Sequence, residues 1–367
     1  MKKVLHYVSV MDRAGQETFI MNIYRHIDKN IVQFGFLCSN SKAGDYDNEI
    51  LSLGGKIYHV ELNNTSGRIR HIKNYIILKK QFQKYTSEYD VIHIHNYHAF
   101  DMFLSAKAAL KAGFKKIIVH AHNSSADSHL QLHRICRPML TRMPIVKLAC
   151  SQDAGKWMYS SRDYSVIRNG IDISRFTFNR DIREQYRKQL NLKDKFVIGH
   201  IGRFDRQKNH QLIIEAFSLF LQLRNNAKLV LVGTGSLVTE IKRMVHQLNL
   251  DNDVIFLGVR SDVAELYQAF DMFFFPSLFE GLGIVAIEAQ ASDLTCLISD
   301  GLPKDVDITN KVIRCCLNAT ISEWCSKMDD CYKNNLELPR KNTRDLIKRA
   351  GFDATESAKM LQRIYLK

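Results

Sequence analysis

The segment Phe275-Pro276-Ser277-Leu278-Phe279-Glu280-Gly281-Leu282-Gly283-Ile284-Val285-Ala286-Ile287-Glu288-Ala289 reads as the end of a buried strand, a glycine-rich turn and the start of a helix. Pro276 has no amide hydrogen for a strand ladder, so the strand stops there. Gly281 and Gly283 permit a tight turn, and the apolar run from Ile284 opens the helix. The amides of Gly281, Gly283 and Ile284 then lie at a helix N-terminus, whose partial positive charge suits phosphate oxygens. Glu280 stands just before that terminus and Glu288 about two turns inside it, placed to touch different parts of one ligand. A charged helix start and a solvated helix position would give the same spacing, so context carries the weight.

The same strand-and-helix alternation runs on both sides of this segment. Phe196–Ile201, Lys228–Val232, Asp253–Leu257, Met272–Phe275 and Leu294–Ser299 read as strands, with helices near 211–224, 237–248, 263–270 and 284–291. Upstream, strands are expected at 3–10, 32–38, 56–62, 89–95, 115–121, 145–151 and 165–168. A helix at Glu17–Ile27 carries Phe19, Ile20, Ile23, Tyr24 and Ile27 on one face. Asn179–Asp194 is polar and charged, without strand character. Regular alternation of this kind specifies parallel sheets covered on both faces. Two doubly wound domains are therefore expected: 1–172, with 352–367 returning to it, and 173–351. Residues 301–350 carry helical patterns and no site. Ligands in such folds bind at the carboxyl ends of the strands, here in the crevice between domains.

Composition narrows the function. The chain has 367 residues, 46% hydrophobic and 25% charged, with 18 Gly and 5 Pro, which excludes wholesale disorder and low-complexity architecture. No run approaches the ~20 apolar residues of a membrane span, and Asp12 and Arg13 interrupt the N-terminal segment before a signal sequence could form. A cytoplasmic protein is expected. The eight cysteines show no ligand spacing, so buried thiols are expected, and no pair of close ligand pairs for zinc is found. The net charge of +14 concentrates in residues 51–150, which hold 15 Lys+Arg against 5 Asp+Glu and nine of the 14 histidines. Something anionic is expected to meet that half.

Further strand-end turns carry chemistry. Ile201-Gly202-Arg203-Phe204-Asp205-Arg206-Gln207-Lys208-Asn209 presents Arg203 and Lys208 at the end of an apolar strand, a forked cation and a point charge suited to a pyrophosphate. A charged surface loop is the alternative. Val232-Gly233-Thr234-Gly235 adds a second glycine turn. His93 and His95 share a strand face by the period of two, and His95 with Asn96 lies toward the strand's end.

Taken in order, these segments resemble the retaining GT-B glycosyltransferases of family four, which build bacterial capsular, exopolysaccharide and lipopolysaccharide glycans. Met11-Asp12-Arg13-Ala14-Gly15-Gln16-Glu17-Thr18 is similar to the first-strand loop, with Ala14 where a second glycine is usual. His120-Ala121-His122-Asn123, Asn169-Gly170-Ile171-Asp172 (after Arg168, where proline is usual), Gly202-Arg203-Phe204 with Lys208-Asn209, Gly258-Val259-Arg260 with Asp262, and the Glu280 to Glu288 segment complete the set. The resemblance implies two Rossmann-like domains and transfer from a nucleotide-sugar, most often of UDP. Arg203 and Lys208 would hold the diphosphate with the amides of Gly283 and Ile284, Glu288 the ribose, the backbone at Val259 and Arg260 the base, and Glu280 the sugar. Gly15 would admit the diphosphate, and His122 would contact the sugar near the reacting carbon. His95 and Asn96 are candidates for the acceptor, a saccharide or lipid-linked saccharide. Arg203 and Lys208 would replace a metal, so no metal or other cofactor is expected.

Arg68–Lys84 holds six Lys or Arg and no acid, with Ile69, Ile72, Ile76 and Lys80 along one line and Tyr75 and Phe82 nearby. Such a helix can lie on an anionic membrane surface, with Leu132–Met143 assisting; peripheral association with the inner face of the cell membrane is expected on that ground. A packed surface helix is the alternative. A dinucleotide oxidoreductase is disfavoured because no GxGxxG follows the first strand. A GT-B epimerase or phosphorylase, or a non-enzymatic scaffold on anionic surfaces, stays open. Nucleic-acid binding lacks any helix-turn-helix, zinc or stacking motif.

Overall fold

The computed structural model describes residues 1–63, 68–123, 130–337 and 339–367. The chain divides into two compact units, Met1–Gly170 with Ala354–Lys367, and Ile171–Asp353.

The first unit is a seven-stranded parallel sheet of β1 (Lys2–Val8), β2 (Val32–Cys38), β3 (Lys56–His59), β4 (Val91–His95), β5 (Lys116–Ala121), β6 (Val146–Ala149) and β7 (Ser165–Val166), in the order β3-β2-β1-β4-β5-β6-β7. Its central strands are buried because helices cover both faces of the sheet. Phe19, Ile20, Ile23 and Tyr24 of the helix Gly15–His26 pack on Val4, Phe34 and Phe36, and Ala358, Leu361 and Tyr365 of the last helix, Ala354–Leu366, join the same core. Ser357 Oγ donates to Arg168 O at 2.9 Å, and Lys116 Nζ to Tyr365 O at 3.3 Å.

The second unit is a six-stranded parallel sheet of β8 (Phe196–Ile201), β9 (Ala227–Val232), β10 (Val254–Gly258), β11 (Met272–Phe275), β12 (Thr295–Ser299) and β13 (Val312–Cys315), in the order β10-β9-β8-β11-β12-β13. The chain runs outward from β8 on one side and resumes from β11 on the other, so the switch point lies between β8 and β11. Gly199 of β8 leaves room there for Phe270, whose ring atoms would lie about 2.1 Å from any Cβ.

Two elements depart from the sequence reading. Within the polar stretch 179–194 stands a helix, Arg180–Gln189. Asn179 caps it by accepting from the amides of Asp181 and Ile182 at 2.9 and 3.1 Å. It docks through cations: Arg183 pairs with Asp271 and donates to Phe270 O at 2.8 Å, and Arg187 reaches Asp271 at 3.0 Å. β13 lies in the segment read as helical. Its Arg314 fastens the neighbouring loop by donating to Ser299 O and Leu302 O. All eight cysteines are free thiols, and Cys316 alone is exposed.

Candidate active site

In the second unit, the loops after β8 and β11 meet at the switch point. Leu278 N donates to Gln207 O and Gln207 Nε2 to Phe279 O, both at 2.8 Å. Two loops tied by such bonds hold their side chains in a fixed relation. Lys208 Nζ lies 2.5 Å from Glu280 Oε1 and 4.9 Å from the centre of the Phe275 ring. Lys208 is thus paired where the sequence suggested a free cation. Arg203 is exposed, and its guanidinium makes no hydrogen bond or ion pair among the described residues.

Glycine permits the close approach. At Gly233, φ is +132°, and a Cβ would lie 2.1 Å from Gly202 O, so no other residue allows the β8 and β9 loops to touch this way. Gly233 N donates to Gly258 O at 2.8 Å, which brings in the β10 loop. Gly283 takes φ +79° as the N-cap of the helix Ile284–Ala291 and offers no capping side chain. The first-turn amides, Ile284 included, therefore have no side-chain cap, while Gly281 lies in the turn just ahead. The structure thus gathers Gly202, Arg203, Lys208, Gly233, Glu280, Gly281, Gly283 and Ile284 at one edge of the sheet.

Val259 is exposed at the end of β10. Arg260 is committed to Asp262, with Nε 2.7 Å from Oδ1, and Tyr186 donates to the same carboxylate at 2.8 Å. That leaves the backbone at 259–260 as the free feature. Glu288 is buried, and Tyr267 Oη lies 3.1 Å from its Oε2. Burial raises the Glu288 carboxyl to about 7, against the pull of the Tyr267 hydrogen bond and the Arg175 charge. Tyr267 escaped the sequence reading because it stands 21 residues from Glu288.

In the first unit, Gly15 is the exposed first residue of its helix, with nothing within 4 Å of a Cβ placed there, and Ala14 gives no side-chain cap. Asn96 turns its Nδ2 to Ser105 Oγ at 3.1 Å. His95 is 1% exposed. Its Nδ1 lies 2.9 Å from His122 Nε2 and its Nε2 3.1 Å from His6 Nδ1. With the ring enclosed and both nitrogens turned toward other imidazoles, His95 presents no atom to an acceptor arriving from outside, which corrects that assignment. His122 is likewise buried but keeps Nδ1 without a partner among the described residues.

The expectation that no paired metal ligands exist also fails. His93 with His95 and His120 with His122 are such pairs, and His6 joins them across the strands. The repeated His-x-His was visible in the sequence; that β1, β4 and β5 lie side by side was not.

On the helix Arg68–Tyr85, Leu78 and Phe82 face the core, so Phe82 does not belong to an outer face. Ile72 and Ile76 are 63% and 46% exposed, while the side chains of Arg68 and Ile69 lie outside the described residues. No helix among the described residues is long and apolar enough to cross a membrane.

The comparisons agree with this architecture. The model of the glycosyl transferases group 1 matches residues 182–348, and that of glycosyltransferase family 4 matches residues 13–175. The chain is 32% identical to EpsF of Bacillus subtilis, named as a glycosyltransferase, over 99% of its own length and 96% of that protein. It is 29% identical, over 63% of its length and 62% of the other, to the UDP-Gal:alpha-D-GlcNAc-diphosphoundecaprenol alpha-1,3-galactosyltransferase of Escherichia coli. Anabaena HepE in complex with UDP-glucose has the same fold, with a TM-score of 0.78 over 99% of each chain at 19% identity. Two parallel-sheet α/β units of this kind match the GT-B fold. The chain belongs to the group 1 and family 4 glycosyltransferases.

Proposed function

We propose that this glycosyltransferase moves a sugar from a UDP-sugar to a saccharide or lipid-linked saccharide in surface-glycan assembly, with retention of configuration and without a metal in the transfer step. The observation that carries the reading is the exposed Arg203, without an ion-pair partner among the described residues, beside the Lys208–Glu280 pair and the helix start at Gly283 that has no side-chain cap. The departing nucleoside diphosphate develops negative charge, and fixed cations with helix-end amides stabilise it without reorganising. Lys208 meets the diphosphate as Glu280 turns to the sugar hydroxyls. The two phosphate-facing cations supply the charge a Mg²⁺ ion supplies elsewhere. Retention fits a leaving phosphate that takes the acceptor proton, since no separate base is needed. His122 and Gly15 are the first unit's candidates for sugar and diphosphate contact. The names of the relatives support a UDP-sugar donor and a diphosphoundecaprenol-linked acceptor. Incubating the full chain with UDP-sugars and such acceptors, then reading the new anomeric centre by NMR, tests the reading. An inverted linkage, or an epimerised or phosphorolysed donor without transfer, would overturn it.

Glu288 is read as the acceptor of the ribose hydroxyls. Only its ionised form accepts from both hydroxyls, and that form gains population as the pH rises through about 7. UDP affinity is therefore expected to rise about fourfold from pH 6.5 to 8. Glu288→Gln should flatten that slope in calorimetric titrations; an unchanged slope would remove Glu288 from the ribose.

The exposed Ile72 and Ile76, flanked by Arg70, Lys73, Lys79 and Lys80, support docking on an anionic membrane. So do Ile135 and Met139, exposed on the helix Leu130–Thr141. The chain is expected to sediment with phosphatidylglycerol vesicles but not phosphatidylcholine vesicles, less so at high salt. The double variant Ile72→Glu, Ile76→Glu should release it. Equal sedimentation of that variant would refute the docking face.

A further inference from the structure

Parallel register sets five imidazoles on one face of the first unit's sheet. β1 and β4 align His6 with His93, and β4 and β5 align His95 with His120. The two-residue period of a strand puts His93 with His95, and His120 with His122, on the same side. All five are buried. The rings of Phe19 and Tyr365, from the covering helices, lie against them. A core that needed only apolar volume would be served by leucine or phenylalanine, with no polar atom to satisfy. Here His6, His93, His120 and His122 each keep a buried ring nitrogen with no partner among the described residues.

The hydrogen bonds select three of the five. His93 Nδ1 lies 2.8 Å from Tyr365 Oη, and His95 Nδ1 lies 2.9 Å from His122 Nε2. When each Nδ1–H donates outward along these contacts, the Nε2 lone pairs of His93 and His95 are left free. His93 Nε2 has no other partner, and His95 Nε2 lies 3.1 Å from His6 Nδ1. One ring nitrogen from each of His6, His93 and His95 lies within 4.8 Å of the other two. A tetrahedral zinc at its usual bond length separates its nitrogen ligands by about 3.3 Å, close to the 3.1 Å between His6 Nδ1 and His95 Nε2. A ligating histidine anchored through its other nitrogen is the usual support of such a site.

We propose that His6, His93 and His95 form a buried three-histidine site for one divalent ion of the zinc class, with Tyr365 and His122 as positioning residues. Three neutral imidazoles without a carboxylate favour zinc and its first-row neighbours over Mg²⁺ or Ca²⁺. An ordinary imidazole is already mostly neutral at physiological pH, so the lone pairs are available to an ion. The ion ties β1, β4 and the last helix together. A second triad of His95, His120 and His122 competes for His95; the Tyr365 bond to His93 favours the first. The site lies within the first unit and does not depend on the donor reading.

The test is metal content of the full chain, produced without a polyhistidine tag in zinc-supplemented medium and dialysed against EDTA to strip surface ions. About one zinc per chain should be retained, and cobalt(II) substituted during refolding should give the intense visible bands of a four-coordinate centre. Folded His93→Gln should retain less than a tenth of the zinc, and His120→Gln should retain all of it. Tyr365→Phe should weaken zinc binding about 10- to 100-fold. The proposal is overturned if the wild type keeps no more zinc than His93→Gln, or if its cobalt spectrum is that of a six-coordinate ion. Loss of zinc from folded His120→Gln but not from His93→Gln would equally overturn it.

Discussion

In the metal-free chain, lowering the pH from 7.5 to 5.5 is expected to destabilise the first unit by several kcal/mol, a large share of the stability of a typical domain. The cause is the buried set His6, His93, His95, His120 and His122. Burial holds His6 and His122 down to about 3 and the other three well below their ordinary value, with mutual repulsion adding to the effect for His93, His95 and His120. The folded chain therefore binds no proton at these rings in this range, while the unfolded chain takes one at each as the pH falls below about 6.5. Stability is complete above that value and is lost as the pH falls toward the folded-state values. Below 6.5 each ring that stays neutral in the folded chain adds to the loss, and in the unfolded chain the five titrate independently. Thermal midpoints followed by circular dichroism from pH 8 to 5 should drop steeply below 6.5. A midpoint that stays flat to pH 5.5 would show that the rings are not buried as neutral groups.

Arg203→Ala and Lys208→Ala are each expected to lower kcat/KM for the donor by about 10²–10³-fold, equivalent to about 2.7–4 kcal/mol of transition-state stabilisation. The two should differ in character. Arg203 is exposed and without an ion-pair partner among the described residues, so its removal leaves the fold intact and the loss falls on donor binding and on the step that expels the diphosphate. Lys208→Ala also removes the ammonium that lies 2.5 Å from the buried Glu280 carboxylate. It should therefore lower the thermal midpoint as well, and Glu280→Gln in the same chain should recover part of that loss while leaving the activity low. Steady-state kinetics with denaturation curves on the two single variants and the double variant separate these effects. An unchanged kcat/KM in Arg203→Ala would remove the diphosphate from the β8 loop.

The sequence made the architecture legible where strands are buried on both faces. Phe196–Ile201 and Met272–Phe275 are continuous apolar runs, and each ends at a glycine or proline that marks the ligand edge. It concealed elements held by charge. Arg180–Gln189 has no buried face, and its anchor Asp271 lies more than 80 residues away. Arg314 breaks the apolar pattern of β13 because it serves the carbonyls of a neighbouring loop. In the site, the residue types at strand ends were readable, but their partners were not. The pairing of Lys208 with Glu280 and of Tyr267 with Glu288 depends on which strands become neighbours. The same is true of the histidines: the His-x-His pattern is local, and a cluster arises only because β4 is inserted between β1 and β5.

The proposed function rests on the β8 and β11 loops binding a nucleoside diphosphate through side chains and helix-end amides. Calorimetric titration of UDP into the full chain in EDTA, compared with Arg203→Ala, tests it most directly. One UDP per chain is expected, undiminished by EDTA, with affinity at least about tenfold weaker in the variant, as when a charge-assisted contact worth about 1.4 kcal/mol or more is lost. Binding that appears only when Mg²⁺ is added, or equal affinity in the wild type and Arg203→Ala, would contradict it.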